Sequence, residues 1–568
     1  MFFTLAVSAA SPRLCAELAD RARVAAPAVM PIPGPAVVAW RSPDGRAALL
    51  HWGGGSGGPS GGPSGGGSGG VEDAKATSHA GTIWAEPPTP GSGRAPVLAR
   101  TSVTRVDPVY VARMPGAVIV ADRATWAAWT VGRLDAHDPL HVAALLNPGF
   151  PLASATPFRG VSALTGSTTL HLLNGALTRL RAEADIGAGD GQGGDHGLGG
   201  DDGGSPGGAR AVAEGLVAAV AHLADAGQPV ELSLTGGKDS RLIAAALVRA
   251  GVPVVARTHG FADHPDVVVA AEIARRLGLE HLVKTPAAPG QQVDVLGRIR
   301  ATVLVADGML SAFENVGRPD PAASSVVTAG GHGGELLRGG YAETAAGRPG
   351  AAGGLRAALG PARRAARSTE LLRRLTSKHL GLIRRGPAAG YVASLAPWSA
   401  ALARSPLHAL DDFYLVNRAG RWSAAARQAY LIREHLVQPL FDDRVVLAAR
   451  AVPLADRISG ALSAAVLAEL CPALVDVPLA GKPPAGAQAP FDWRRQYGEA
   501  IAALLRDYTL DLGAPAGLFT VVNRSAAEKL LALPHTDHAS VWALATLACL
   551  RSGDYRHARN PAQLVSVS

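Results

Sequence analysis

The chain has 568 residues, 54 Lys and Arg against 46 Asp and Glu, a net charge of +8 and 48% hydrophobic residues. That length predicts two domains rather than one core, and the apolar content, with mean hydropathy +0.15, excludes a disordered chain. No apolar run approaches the roughly 18 residues of a membrane span, and the arginines carry no interleaved aromatic platforms, so neither a membrane nor a nucleic acid is expected as partner.

The opening run Met1-Phe2-Phe3-Thr4-Leu5-Ala6-Val7 lacks a basic lead and reads as a first strand, not a signal peptide. Further short strands are expected at 36–40, 47–52 and 117–121, a helix at 138–146, and strand or turn segments at 158–161 and 168–173. Two low-complexity stretches, 53–70 (Gly/Ser/Pro) and 187–208 (Gly/Asp), cannot bury enough apolar surface to offset ordering entropy and are expected to be flexible. No internal repeat is evident. Cys15, Cys471 and Cys549 have neither metal-type spacing nor the number for a disulfide framework, which points to a reducing cytoplasm and no structural zinc.

Residues 232–245 read LSLTGGKDSRLIAA. An alternating apolar run (Val230, Leu232, Leu234) ends in Thr235-Gly236-Gly237-Lys238-Asp239-Ser240, and an Ala/Leu-rich helical pattern follows through Val248. A strand, a glycine loop and a helix N-terminus in that order form an anion cradle, because backbone N–H groups and the helix dipole face one point. Thr235 and Ser240 add hydroxyls, and Asp239 a carboxylate able to hold magnesium on phosphate oxygens. An ordinary glycine-rich turn would carry the same pattern. A Walker A motif, G-x-x-x-x-G-K-[ST], is absent. The run resembles the SGGxDS pyrophosphate loop of the ATP-pyrophosphatase superfamily, with Thr235 for the usual serine. Lys238 and Arg241 stand where the family more often has an apolar and a small residue; either could contact phosphate or point to solvent.

Residues 325–341, SVVTAGGHGGELLRGGY, again run from a short apolar strand into glycines, an acid and a helix-like tail. They resemble the GxGxDExxGGY segment of asparagine synthetases and β-lactam synthetases. Gly331, Gly333, Gly339, Gly340 and Tyr341 fall on that pattern, Glu335 stands at its aspartate, and Leu336 where a second acid is usual. Residues 438–453, QPLFDDRVVLAARAVP, resemble the family's PFLDxxxVxxAxxxP run, and 478–482, PLAGK, its lysine-bearing segment. The resemblance covers about 207–500. It implies an α/β fold: a parallel-sheet PP-loop domain (adenine nucleotide alpha hydrolase-like) at 209–560 with a helical C-terminal part, helix-rich over 411–550. A Gly-rich linker at 186–208 would precede it. The region 1–185, with its T-x-F-x-G-V stretch at 156–161, resembles the glutaminase-like (Ntn-type) α+β domain of such enzymes. That domain needs a nucleophilic cysteine at position 2, where this chain has Phe2, and Cys15 lies in a helical pattern that cannot replace it. The glutaminase is therefore expected to be degenerate.

β-Lactam synthetases and lasso-peptide macrolactam synthetases resemble this arrangement. The implied activity is an ATP- and Mg2+-dependent, AMP-forming carbon–nitrogen ligase acting on a small molecule or peptide with a carboxylate and an amine, with a precursor peptide and partner proteins in attendance. An asparagine synthetase using ammonia or an external amine, and a degenerate nucleotide-binding scaffold, remain as alternatives. By the same resemblance Leu234, Thr235, Gly236, Gly237, Asp239, Ser240, Thr258, Gly260 and Gly331 bind the nucleotide, with His259 beside them. Asp239 and Glu335 hold the metal, and Lys482 steadies the leaving pyrophosphate. Asp266 falls at the family's acid after the next strand (253–257), though a helix N-cap would explain it as well. His332 lies between the glycines, where the families place a group facing the reacting carbonyl. It could take the proton of the attacking amine or merely line the pocket. His281 and His435 read as structural. The arginines at 363, 364, 367, 373, 374, 384 and 385 read as a solvated basic face, or alternatively as steering for an acidic partner or peptide.

Overall fold

The computed structural model describes residues 3–29, 37–52, 82–85, 96–182, 206–225, 227–286, 292–314, 316, 326–346, 361–431, 435–484, 487, 489–532, 537–557 and 564–566. The expected flexible stretch 53–70 lies outside them, as do 187–205 of the second, Phe2 and Ser325.

Alternating apolar segments of the N-terminal region pair into two antiparallel sheets. One has six strands in the order Val37–Arg41, Ala47–Trp52, Phe3–Ala9, Ala117–Ala121, Tyr110–Met114, Val161–Ala163. The other has four, in the order Ala176–Ala182, Thr168–Leu173, Val97–Arg100, Thr82–Ala85. Every second residue of Thr168–Leu173 is buried, the period of two that a half-covered strand requires. Ala6, Leu49, Val118 and Val120 of the first sheet share an apolar layer with Val97, Leu170 and Leu172 of the second. The other set of first-sheet residues, Leu5, Val7 and Ile119, joins Leu18 and Trp126 of the helices Pro12–Val29 and Ala124–Thr130. The expected strands at 47–52, 117–121 and 168–173 are present, the one at 36–40 is displaced to Val37–Arg41, and the expected helix runs Pro139–Leu146, with Asp138 as its cap accepting from Leu140 N at 2.9 Å.

The second half carries a five-stranded sheet in the order Glu280–Lys284, Val254–His259, Val230–Ser233, Val327–Gly330, His435–Val437, parallel throughout. Such a sheet needs cover on both sides, and its central residues Val230, Leu232 and Ala329 are buried accordingly. The strand order runs outward in one direction from Val230–Ser233, then returns to start again at Val327–Gly330 on its other side. The carboxyl ends of those two neighbours mark the switch point, where open α/β sheets bind ligands.

The expected helix-rich C-terminal part is present, with one difference. The pattern at 412–416 and from Trp422 belongs to a single rod, Pro406–Phe413 continuing through a π-wound Tyr414–Ser423 into Ala424–Leu431. A π-turn is a rare insertion with no residue preference of its own, and nothing in the composition of 414–423 marks one, so the sequence reads as ordinary α-helix. This rod joins the halves: Arg105, fully buried, donates to Val416 O at 2.5 Å and Ala153 O at 3.3 Å, and burial lowers its pKa to about 9. Elsewhere Arg123 ion-pairs with Asp307, both without exposure. Arg363, Arg367, Arg373 and Arg374 on Pro361–Thr376 are solvent-exposed, as a basic face should be. No helix among the described residues is long and apolar enough to cross a membrane.

Candidate active site

The first loop leaves the sheet at Leu234, whose N–H donates to Arg257 O at 2.9 Å, and enters the helix Lys238–Arg249 at Gly237. Its shape is set locally. Thr235 N donates to Ser240 Oγ at 3.1 Å, Gly237 N to Thr235 Oγ1 at 3.2 Å, and Ser240 Oγ to Thr235 O at 3.1 Å. Thr235 stays exposed while Ser240 is buried at the helix start. The exposed threonine therefore stands at the mouth of a helix N-terminus, which suits an anion.

Two residues assigned open roles from sequence turn out to position this loop. Asp266 is not the N-cap of its helix; His264 Nδ1 accepts from Asp266 N at 3.2 Å and fills that place. The Asp266 carboxylate instead accepts from Gly236 N at 3.1 Å. Arg241 neither reaches towards phosphate nor points to solvent. It is 3% exposed and donates to Gly236 O at 3.1 Å, Gly237 O at 3.0 Å, Val477 O at 2.8 Å and Pro478 O at 3.1 Å. Its guanidinium thus staples the glycine loop to the segment that carries Lys482. Ala480 N adds a bond to Gly236 O at 3.1 Å, and a Cβ at Gly236 would lie 2.5 Å from Ala480 Cβ, so only glycine permits the approach. Lys482 itself is exposed two residues further on, and Lys238 is exposed near Gly460.

The second loop closes on the first. A Cβ at Gly331 would sit 2.7 Å from Ser240 N, and a Cβ at Gly334 would fall on the Asp239 carboxyl group. Backbone therefore meets backbone at the switch point, with Asp239 and Glu335 brought into one charge cluster. Burial pushes the Asp239 carboxyl above its ordinary value, Arg338 opposes that, and Glu335 adds to it. Asp239 Oδ1 is ion-paired with Arg338 Nη1, whose Nε lies 3.2 Å from Glu343. Glu335 Oε2 accepts from Tyr414 Oη at 3.0 Å. These two bonds engage Asp239 Oδ1 and Glu335 Oε2 and leave Oδ2 and Oε1 outside them. Two carboxylate oxygens beside a helix N-terminus would suit magnesium, which keeps most of its waters. Among the described residues no group of three His, Cys, Asp or Glu forms an all-protein site.

Leu336 is buried with Tyr414, Leu415, Phe441 and Val446, an apolar cluster that an acid could not join. His332 is solvent-accessible at the cleft, yet protein surrounds most of it. That partial loss of bulk water lowers its pKa below 6.5, with Arg418 helping and Glu335 and Asp239 opposing. Thr258 and Gly260 lie on the neighbouring strand end. The Thr258 hydroxyl donates to Leu234 O at 2.8 Å and sits 2.8 Å from His281 Nε2, so it braces the loop and its backbone is what a nucleotide could use. Gly260 N donates to Lys284 O at 3.1 Å. His281 is thereby structural, and His435 is exposed on the far edge strand.

Arg338, Tyr414 and Glu343 were not legible as site residues. An arginine in a glycine-rich loop beside an acid was the available signal.

The family model described as Asparagine synthase matches residues 211–551, more than half of the 568-residue chain. No curated protein matches it. With the parallel sheet, the crossed glycine loops and that match together, the chain belongs to the asparagine synthase family of ATP-dependent carbon–nitrogen ligases.

Proposed function

We propose that the protein adenylates a substrate carboxylate with ATP, releases pyrophosphate, and joins the activated carbonyl to an amine already present on a small molecule or peptide, closing a macrolactam. The observation that carries this reading is the meeting of the two glycine loops at the switch point, Gly331 against the Ser240 amide with Asp239 and Glu335 alongside. Ammonia from glutamine does not fit. Cys15, the one thiol in the first half of the chain, is buried with its pKa pushed up to about 11, so it is an inert thiol. We take 1–185 as a glutaminase-like scaffold without its nucleophile, 186–208 as linker and 209–560 as the ligase domain.

A carboxylate is a poor electrophile, and acyl-adenylate formation gives it a good leaving group. Thr235, Ser240 and the loop formed by Gly236 and Gly237 hold the phosphates at the helix N-terminus, and the exposed Lys482, on a segment pinned to the same loop, steadies the leaving pyrophosphate. Magnesium, held by Asp239 and Glu335, would neutralise charge on the phosphates. Attack by the free amine forms the C–N bond while the C–O bond to AMP breaks and AMP leaves with the electron pair. The nitrogen then loses one proton, which neutral His332 accepts. Holding both groups in one cleft supplies much of the rate by proximity.

The test is exchange of labelled pyrophosphate into ATP, dependent on magnesium and on a candidate carboxylate. Asp239→Asn should abolish it. Wild-type protein that binds ATP but exchanges with no carboxylate would favour a scaffold instead, a reading that the Arg338 ion pair on Asp239 supports.

The role of His332 has its own signature. A base must be neutral, so amide formation should rise with pH through a value below 6.5 and level off above it. His332→Asn should remove that limb and slow amide formation by about 100-fold, the low end for general base catalysis. An acidic limb that survives in His332→Asn assigns the proton to another group.

A further inference from the structure

Beside His332 lies a cavity of about 150 Å³ lined also by Glu314, Trp422, Arg427, Tyr430 and Gln438. Its walls come from three separate parts of the chain: the turn Ala312–Glu314, the end of the rod from Tyr414 to Leu431, and the residue following the strand His435–Val437. None of these side chains has been given a part in holding nucleotide, and His332 is placed only as the proton acceptor.

The polar atoms around it are unusual. Gln438 is 6% exposed, and its Oε1 is buried with no partner among the described residues. Trp422 Nε1 is buried and unpartnered in the same way. A buried polar atom left unpaired costs about 1–3 kcal/mol, so an acceptor and a donor around one small space call for a ligand that offers the reverse of each. The charge is equally directional. Arg427 is already neutralised, donating from Nε to Asp107 and from Nη1 to Leu436 O, each at 2.9 Å. Arg418 is stacked over the Trp422 ring at 3.5 Å. Glu314 has no ion-pair partner among the described residues and is half-buried at the cavity margin. The carboxylate of Glu314 and the carbonyl oxygen of Gln438 together favour a cation that donates several hydrogen bonds, and the Tyr430 and Trp422 rings line the remainder.

We propose that this cavity is the amine site, in which Glu314 and Gln438 bind a small primary ammonium group whose neighbouring atom group accepts a hydrogen bond from Trp422; the ammonium gives one proton to solvent before the free amine attacks, and His332 takes the second. The size sets the limit: a cavity of about 150 Å³ has room for an aminomethyl group and the carbonyl beside it. His332, shared by the cavity and the nucleotide cleft, stands where the amine and the activated carbonyl would meet. The assignment rests on the ligase reading above, and its test is independent of turnover.

The probe is glycinamide, titrated against the full-length protein without nucleotide and followed by ligand-observed NMR. N-acetylglycinamide keeps the carbonyl groups and lacks the amine. Glycinamide should bind at least tenfold more tightly than the acetylated form. Glu314→Gln, which preserves shape, should weaken glycinamide about tenfold, and Gln438→Glu should tighten it by adding charge at the second acceptor. Equal binding of the two probes, or no binding of glycinamide, overturns the assignment, as does a Glu314→Gln and Gln438→Glu pair that both bind like wild type. Pyrophosphate exchange needs no amine. Its failure in the wild type would therefore count against the ligase reading, while the glycinamide titration would still report on the cavity.

Discussion

Gly334→Ala should eliminate carboxylate-dependent pyrophosphate exchange while leaving the protein folded. The alanine Cβ would fall on the Asp239 carboxyl group, which lies on the first turn of the helix Lys238–Arg249. That side chain can escape only by rotating away, which breaks its pair with Arg338 and removes it from Glu335. The backbone has no reason to move, so the melting temperature should change little. The exchange rate should fall by more than about 100-fold, beyond the 10–100-fold typical of losing an outer partner of a metal site. Gly331→Ala makes the contrast. Its Cβ would meet the backbone at Ser240 N, 2.7 Å away, and no side-chain rotation relieves that, so this variant should lose stability as well as exchange. Exchange at the wild-type rate in a folded Gly334→Ala protein would mean that the Asp239 carboxylate is not needed where it lies.

The parts of this site that local sequence could show are those built from neighbours. The apolar alternation of Val230, Leu232 and Leu234 forces a strand, two glycines force a turn, and the Ala/Leu run forces a helix, so the first loop reads directly. The second loop reads the same way from Val327 to Glu335. What joins them does not. The pairing of Ser233 with Gly330 depends on strand order, and nothing within either segment encodes which strand lies beside which. Asp266 lies 30 residues from the amide it holds, Tyr414 lies 79 from Glu335, and Arg338 lies 99 from Asp239. Each is an ordinary residue in its own neighbourhood: an acid in a helix's first turn, a tyrosine in an amphipathic rod, an arginine after two leucines. The helix N-cap expected of Asp266 failed because His264, two places earlier, offers its own ring nitrogen to the same backbone. The π-winding of Tyr414–Ser423 was hidden for a different reason, since nothing in its composition marks it.

Arg241→Ala should loosen the glycine loop and the Lys482 segment together. The guanidinium is 3% exposed and its three nitrogens serve four carbonyls, two on the glycine loop (Gly236, Gly237) and two on the Lys482 segment (Val477, Pro478). Truncation would remove the guanidinium donor from all four, and Gly236 O keeps a second donor, Ala480 N. A hydrogen bond to a charged group is worth about 1.5–3 kcal/mol net, and the four share one side chain, so about 3 kcal/mol is a reasonable loss, short of the sum. The consequence should be local before it is global, because Ala480 N to Gly236 O is the one backbone bond recorded between the loop and that segment among the described residues. Hydrogen exchange should accelerate first at 477–482, and the ATP concentration for half-maximal pyrophosphate exchange should rise at least tenfold as Lys482 loses its anchorage. Arg241→Lys should fail to rescue either readout, since a single ammonium cannot span carbonyls on two segments. If 477–482 exchanges as slowly in Arg241→Ala as in wild type, the segment is held by something other than this arginine. Rescue by lysine would show that charge alone, without the planar fork, is sufficient.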